Sequence, residues 1–130
     1  LLTQEEQVKC FKNVAEHLNE DGVFVIETYV PAFLYRLHND HYVQAEGVDV
    51  SEVRLDVLRH DPAKQIIEEN HVSLGSTGIR FNPVVQRYAW PSELDLMASI
   101  AGLRLKNRWS GWSQEPFDSS SNIHVSVYGR

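Results

Sequence analysis

Glu27-Thr28-Tyr29 follows an apolar run, Val23-Phe24-Val25-Ile26. A carboxylate and a phenol at the carboxyl end of a buried strand sit where the ligand crevices of α/β sheets open, and there they could orient a bound amine or hydroxyl. The other reading of the pair is structural, with Glu27 bonding a neighbouring loop and Tyr29 packing under the segment that follows. Arg87, Tyr88 and Trp90 form a second group. A planar guanidinium beside aromatics suits a carboxylate or an aromatic ligand; alternatively Arg87 pairs with Glu93 or Asp95 while Trp90 staples a helix. A third group is Trp109, Gly111 and Trp112, which could wall a pocket, cover a sheet edge or form a subunit contact. Glu27, Tyr29, Arg87, Tyr88, Trp90 and Trp112 are the candidate substrate-binding residues. His60 and His71 could approach across the Asp61-Pro62 turn, but neither has a cysteine or carboxylate at a recognised ligand spacing, so no metal site is expected. The catalytic group stays unassigned, because nucleophile–base sets are defined by geometry rather than by order in the chain.

The elements that must position these residues are legible. Thr3-Gln4-Glu5-Glu6 is a capping box, and Val8, Phe11, Ala15 and Leu18 follow at helical spacing. The spacing predicts a helix from Gln4 to Leu18, stopped by Asn19-Glu20-Asp21-Gly22. Val23 to Val30 is apolar at consecutive positions through Ile26, as in a parallel strand covered on both faces. Pro31 ends it, Ala32 to Leu37 allows a turn of helix, and Asn39 to Gly47 is expected to be loop.

The middle of the chain changes character. Val53, Leu55 and Val57 alternate with Glu52, Arg54 and Asp56, which predicts a half-buried antiparallel strand. With Lys64 to Leu74 and Ile79 to Tyr88 it makes a meander of about three strands, turned at Asp61-Pro62 and Gly75-Ser76-Thr77-Gly78. Pro83 marks the last of these as an edge or a bulge. Pro91 then opens a helix with Glu93 in its first turn and Leu94, Met97, Ala98 and Ala101 on one face. Gly102 supplies the left-handed cap. Leu103 to Trp109 and Ile123 to Tyr128 alternate and should pair as a long-loop hairpin.

With 130 residues, ordinary apolar content and a formal charge of −6, the chain is one soluble domain or part of one. Interspersed acidic and basic residues argue against a nucleic-acid partner, and no apolar run is long enough to span a membrane. The single cysteine, Cys10, suits a reducing, cytoplasmic setting, and an opening Leu1-Leu2 without an initiator Met suggests a start inside a longer product.

In order, helix, Asp-Gly turn, buried strand ending in Glu27, meander, helix and two strands resemble the second half of a class I S-adenosylmethionine (SAM) dependent methyltransferase. Leu18-Asn19-Glu20-Asp21-Gly22-Val23-Phe24-Val25-Ile26-Glu27 is similar to the family's Leu-x-Pro-Gly-Gly…Glu before strand 5, with Glu20-Asp21 in place of Pro-Gly. Ser92-Glu93-Leu94 and Ala101-Gly102-Leu103 resemble the start and stop of helix E. The resemblance covers essentially the whole chain and implies an α/β fold: the C-terminal half of a Rossmann-like methyltransferase sheet with an inserted antiparallel β-meander. It implies residues 1–30 as helix and strand 5, 42–89 as the insertion, and 90–130 as helix E and the final two strands. A meander at that place is similar to bacterial small-molecule enzymes, including sugar N-methyltransferases, where it forms a lid and can mediate dimer contacts.

The family's SAM-binding signatures lie after strands 1, 2 and 3 and have no counterpart here; no Gly-x-Gly occurs, and the nearest pair is Gly75 and Gly78. The resemblance therefore implies an acceptor-side wall and lid, a small-molecule acceptor, SAM as the cofactor of the intact parent and none for this piece alone. An uncovered strand edge favours a homo-oligomer. The rival readings are a non-catalytic dimerisation or assembly module, indifferent to SAM, and a small ligand-binding α+β domain with a closed pocket.

Overall fold

The computed structural model describes residues 1–37 and 39–130. The chain divides into two compact units, one of Thr3–Phe33 with Ala89–Arg130, the other of Leu34–Tyr88.

In the first unit, α1 (Gln4–His17) and α2 (Pro91–Ile100) lie on a three-stranded sheet of order β1 (Val23–Tyr29), β7 (Ile123–Gly129) and β6 (Arg104–Trp109). The capping box forms as expected: Thr3 Oγ1 accepts from the Glu6 N–H and the Glu6 carboxylate accepts from the Thr3 N–H, each at 3.1 Å. Phe11 and Ala15 of α1 and Leu94, Met97 and Ala98 of α2 meet Leu103 and Tyr128 in one core, with Phe24 and Ile26 of β1 packed against it. The Phe11 ring stands edge-on to Phe24 and to Tyr128. The α2 stop is a Schellman turn: Leu103 N–H donates to Ala98 O at 2.8 Å and Gly102 N–H to Ser99 O at 3.0 Å, with Gly102 at φ +78°. A 3-10 helix at Pro31–Arg36 follows β1.

One strand expectation holds and one changes. The β6–β7 hairpin forms as expected, antiparallel with Trp109 opposite Val125. The expectation that β1 is covered on both faces fails, since Phe24 and Ile26 face the helices while Val23 and Val25 are exposed. Both helices of the unit lie on one face, so the apolar run fills one side and leaves the other bare. β1 pairs only with β7, antiparallel, and no described residue pairs with its other edge.

The second unit is a four-stranded antiparallel meander, β2 (His41–Val48), β3 (Glu52–Asp61), β4 (Ile66–Gly75) and β5 (Gly78–Arg87), in sequential order. The segment expected to be loop is thus largely strand β2. A bulge between Ala45 and Gly47 breaks its alternation. Gly47 lies against the Arg54 guanidinium, which a side chain would strike at 2.9 Å. Pro83 does sit on an edge strand.

The register separates two faces. Val43, Val57, Asn70 and Pro83 align across the sheet, as do Ala45, Leu55, Val72 and Phe81, and Val48, Val53, Leu74 and Ile79. Tyr42, Asp56, Leu58, Ile67, Glu69 and His71 lie on the opposite face. The sequence alternation placed Asp56 on the solvent side of β3, but Asp56 is buried while Val43, Val48, Ile79 and Phe81 are exposed.

Candidate functional site

The six candidate residues divide between the units. Glu27 and Tyr29 end β1 as expected, opposite Val125 and Ile123. The Glu27 side chain is exposed and makes no hydrogen bond among the described residues. The Tyr29 ring lies 6.0 Å from that of Phe33. Trp90 is the N-cap residue of α2, and Trp112 is exposed in the loop between β6 and β7. Arg87 and Tyr88 belong to the meander unit. Gln65 joins them, its amide donating to Tyr88 O at 3.0 Å and its carbonyl oxygen accepting from Arg87 Nη2 at 3.2 Å. Asp95, one of the two carboxylates offered to Arg87 by the sequence, is taken by Arg108.

That last pair opens a buried network which the sequence reading missed. Arg108 of β6 donates through Nη2 to Asp95 Oδ1 at 2.6 Å and to the Tyr128 hydroxyl at 3.0 Å, and through Nε to Ser126 Oγ at 2.8 Å. Tyr128 in turn donates to Asp95 Oδ1 at 2.8 Å. Ser126 Oγ lies 2.7 Å from His124 Nδ1, and Phe117 covers both the His124 ring and the Arg108 guanidinium. His124, Ser126 and Tyr128 alternate on one face of β7, and His124 stands opposite Thr28 at the carboxyl end of β1. Burial, and then the Arg108 charge, lowers the His124 pKa to about 4. Burial, and then the bond to Asp95, raises that of Tyr128. Alternation of His124, Ser126 and Tyr128 with Ile123, Val125 and Val127 is visible in the sequence, but alternation alone does not say which set faces inward. All three are fully buried.

On the polar face of the meander, His60 and His71 do not approach. His60 stands opposite Ile67 and His71 opposite Asp56, four residues further along β3, on the order of 13 Å away. His71 meets carboxylates instead. Its Nδ1 lies 2.9 Å from Glu46 Oε1 and its Nε2 lies 3.9 Å from Glu69 Oε2, while Tyr42 donates to Asp56 Oδ2 at 2.7 Å. The Glu46 bond, foremost, raises the His71 pKa; burial, and then the Asp56 charge, raises that of Glu69.

The described residues hold no glycine-rich strand-to-helix loop. Gly75 and Gly78 flank the Ser76-Thr77 hairpin turn between β4 and β5, so they do not fit the methionine end of SAM. No helix is long and apolar enough to cross a membrane.

No family model and no curated protein matches the chain. Among solved structures, it is similar to the CcbJ methyltransferase from Streptomyces caelestis, with 39% identity and a TM-score of 0.91 over 99% of this chain and 55% of that one. A SAM-dependent methyltransferase from Clostridium acetobutylicum shares the fold at 13% identity and a TM-score of 0.79, over 99% of this chain and 52% of that one. A SAM-bound amino pentose methyltransferase from Micromonospora echinaspora, involved in calicheamicin biosynthesis, does so at 21% identity and a TM-score of 0.60, over 98% and 52%. The chain thus spans about half the length of the structures it matches. In sequence and fold, it matches the C-terminal portion of the class I S-adenosylmethionine-dependent methyltransferase family.

Proposed function

We propose that this chain supplies the acceptor side of a SAM-dependent methyltransferase for a small molecule. The 39% identity to the CcbJ methyltransferase along 99% of the chain carries the reading. SAM, when bound by the whole enzyme, supplies an electrophilic methyl group, and the reaction needs an acceptor nitrogen or oxygen held in line with it and relieved of a proton. In this reading Glu27 and Tyr29, at the carboxyl end of β1, form part of the acceptor wall, and the meander forms the lid. Arg87, Tyr88, Trp90 and Trp112 are proposed to line the acceptor's path. An amine-bearing sugar is one suitable acceptor, since an amino pentose methyltransferase shares the fold.

The cofactor cradle belongs to the half of the family fold that this chain does not contain. Titration calorimetry with SAM is therefore expected to give no saturable binding to the chain alone. A chimera joining it to the amino-terminal half of the CcbJ methyltransferase should bind SAM with micromolar affinity. A folded chimera that ignores SAM overturns the methyltransferase reading. Micromolar binding to the chain alone overturns the placement of the cofactor site.

We further propose a homo-oligomer, cemented by the apolar face of the meander. Val43, Val48, Ile79 and Phe81 are each more than half exposed on one face of the meander, and exposed apolar side chains grouped on a face mark an interaction surface. Light scattering should give a dimer that Phe81→Glu converts to monomer. A monomeric parent chain at tens of micromolar rejects the assignment.

A further inference from the structure

We propose that Asp56, Glu69 and His71 form a binding site for a first-row divalent transition cation on the polar face of the meander. Each offers one donor atom, and the three donors lie within 4.8 Å of one another. Strand geometry builds the set. Glu69 and His71 are two residues apart on β4 and so share a face, and Asp56 is the cross-strand partner of His71 on β3.

Three features distinguish the cluster from surface acidity. Asp56 is only 9% exposed. Its Oδ2 is satisfied by the Tyr42 hydroxyl, but its buried Oδ1 has no hydrogen-bond partner among the described residues. A buried carboxylate oxygen without a donor is costly, and a cation satisfies it. His71 is oriented through Nδ1 by the Glu46 carboxylate, the arrangement that fixes metal-ligating imidazoles. That leaves Nε2, which lies 3.9 Å from Glu69 Oε2, too far for a hydrogen bond. A shared ion with bonds of roughly 2.0–2.2 Å would draw the two together.

The donor chemistry selects the ion. One imidazole nitrogen with two carboxylate oxygens suits zinc or manganese, whereas calcium and magnesium favour oxygen-only sets. Two carboxylates balance the dication, and three protein donors leave a coordination position open. Tyr42 and Glu46 act as positioning residues for Asp56 and His71.

The test uses the full 130-residue chain, stripped with EDTA and dialysed, with Zn²⁺ and Mn²⁺ as the probes. Titration calorimetry should show one saturable site of micromolar affinity, and the free-Mn²⁺ resonance signal should fall in the same ratio. Millimolar Mg²⁺ should not displace either ion. Asp56→Asn and His71→Gln should each weaken binding at least tenfold with circular dichroism unchanged; Glu69→Gln serves if either fails to fold. Glu46→Gln, which touches no ion, should weaken it about tenfold. No saturable binding below millimolar overturns the site. So does equal affinity in the Asp56 and His71 variants, which would put the ion on other side chains.

Discussion

Replacing Arg108 with methionine is expected to lower the unfolding free energy of the α1/α2 unit by about 3 kcal/mol. The arginine stem is largely buried, and its head ties β6 to α2 through Asp95 and to β7 through Ser126 and Tyr128. Methionine fills much of the stem's volume, so the loss reports on the charge and its hydrogen bonds rather than on a cavity. What remains is the Asp95 carboxylate with its Tyr128 bond but without its cation. Because the Asp95 side chain is 35% exposed, water softens the penalty, which places the value at the low end of the range for broken buried pairs. All three tryptophans, Trp90, Trp109 and Trp112, belong to this unit, so tryptophan fluorescence in a urea titration follows its unfolding. Adding Asp95→Leu to the methionine variant should recover part of the loss by removing the orphaned charge. A loss below about 0.5 kcal/mol would show that the network is an ornament of the surface.

The helices were the most legible part of the chain, because their signals are local. A capping box, a 3.6-residue apolar period and a glycine stop lie within a few residues of the ends they specify, and Thr3, Pro91 and Gly102 do what their types predict. The sheets depended on what was absent. Val23-Phe24-Val25-Ile26 has the apolar run of a strand covered on both faces, but this chain brings helices to one face only. β2 was hidden by its bulge, which interrupts the two-residue period on which strand recognition rests.

The candidate site was legible at one end. Glu27 and Tyr29 do terminate β1, because strand direction alone fixes that. The Asp95–Arg108–Tyr128 network joins residues up to 33 apart in sequence, and Glu46, at the bulge of β2, reaches His71 of β4 past the intervening β3. Such contacts follow from register, and register follows from the bulge and hairpin geometry that alternation does not encode. Alternation of polar with apolar residues marks two faces without saying which is buried. In β7 His124, Ser126 and Tyr128 face inward, and in β3 Asp56 does, while Glu52 and Arg54 stay exposed.

Acid should expose the His124 end of that inward face. His124 is fully buried, its Nδ1 lies on Ser126 Oγ, and its Nε2 has no hydrogen-bond partner among the described residues. Burial and the adjoining Arg108 charge both oppose a second proton, bringing the folded-state pKa to about 4 from the ordinary histidine value of 6.5. The unfolded chain therefore takes up a proton between these values while the folded chain does not. Stability from the neutral histidine is complete above pH 6.5 and falls by about 1.4 kcal/mol per pH unit on the way down, levelling off below pH 4, where the folded histidine protonates too. Between pH 7 and pH 4.5 the loss amounts to about 2.5 kcal/mol. Carboxylates titrate in the same range, so the quantity that isolates His124 is a difference. Urea titrations followed by tryptophan fluorescence at both pH values should show the parent chain losing about 2.5 kcal/mol more than His124→Gln, which keeps a polar partner for Ser126 but carries no titratable ring. Parallel losses in the two proteins would mean that the buried ring is protonated in the fold, with Arg108 displaced from Ser126 to admit the charge.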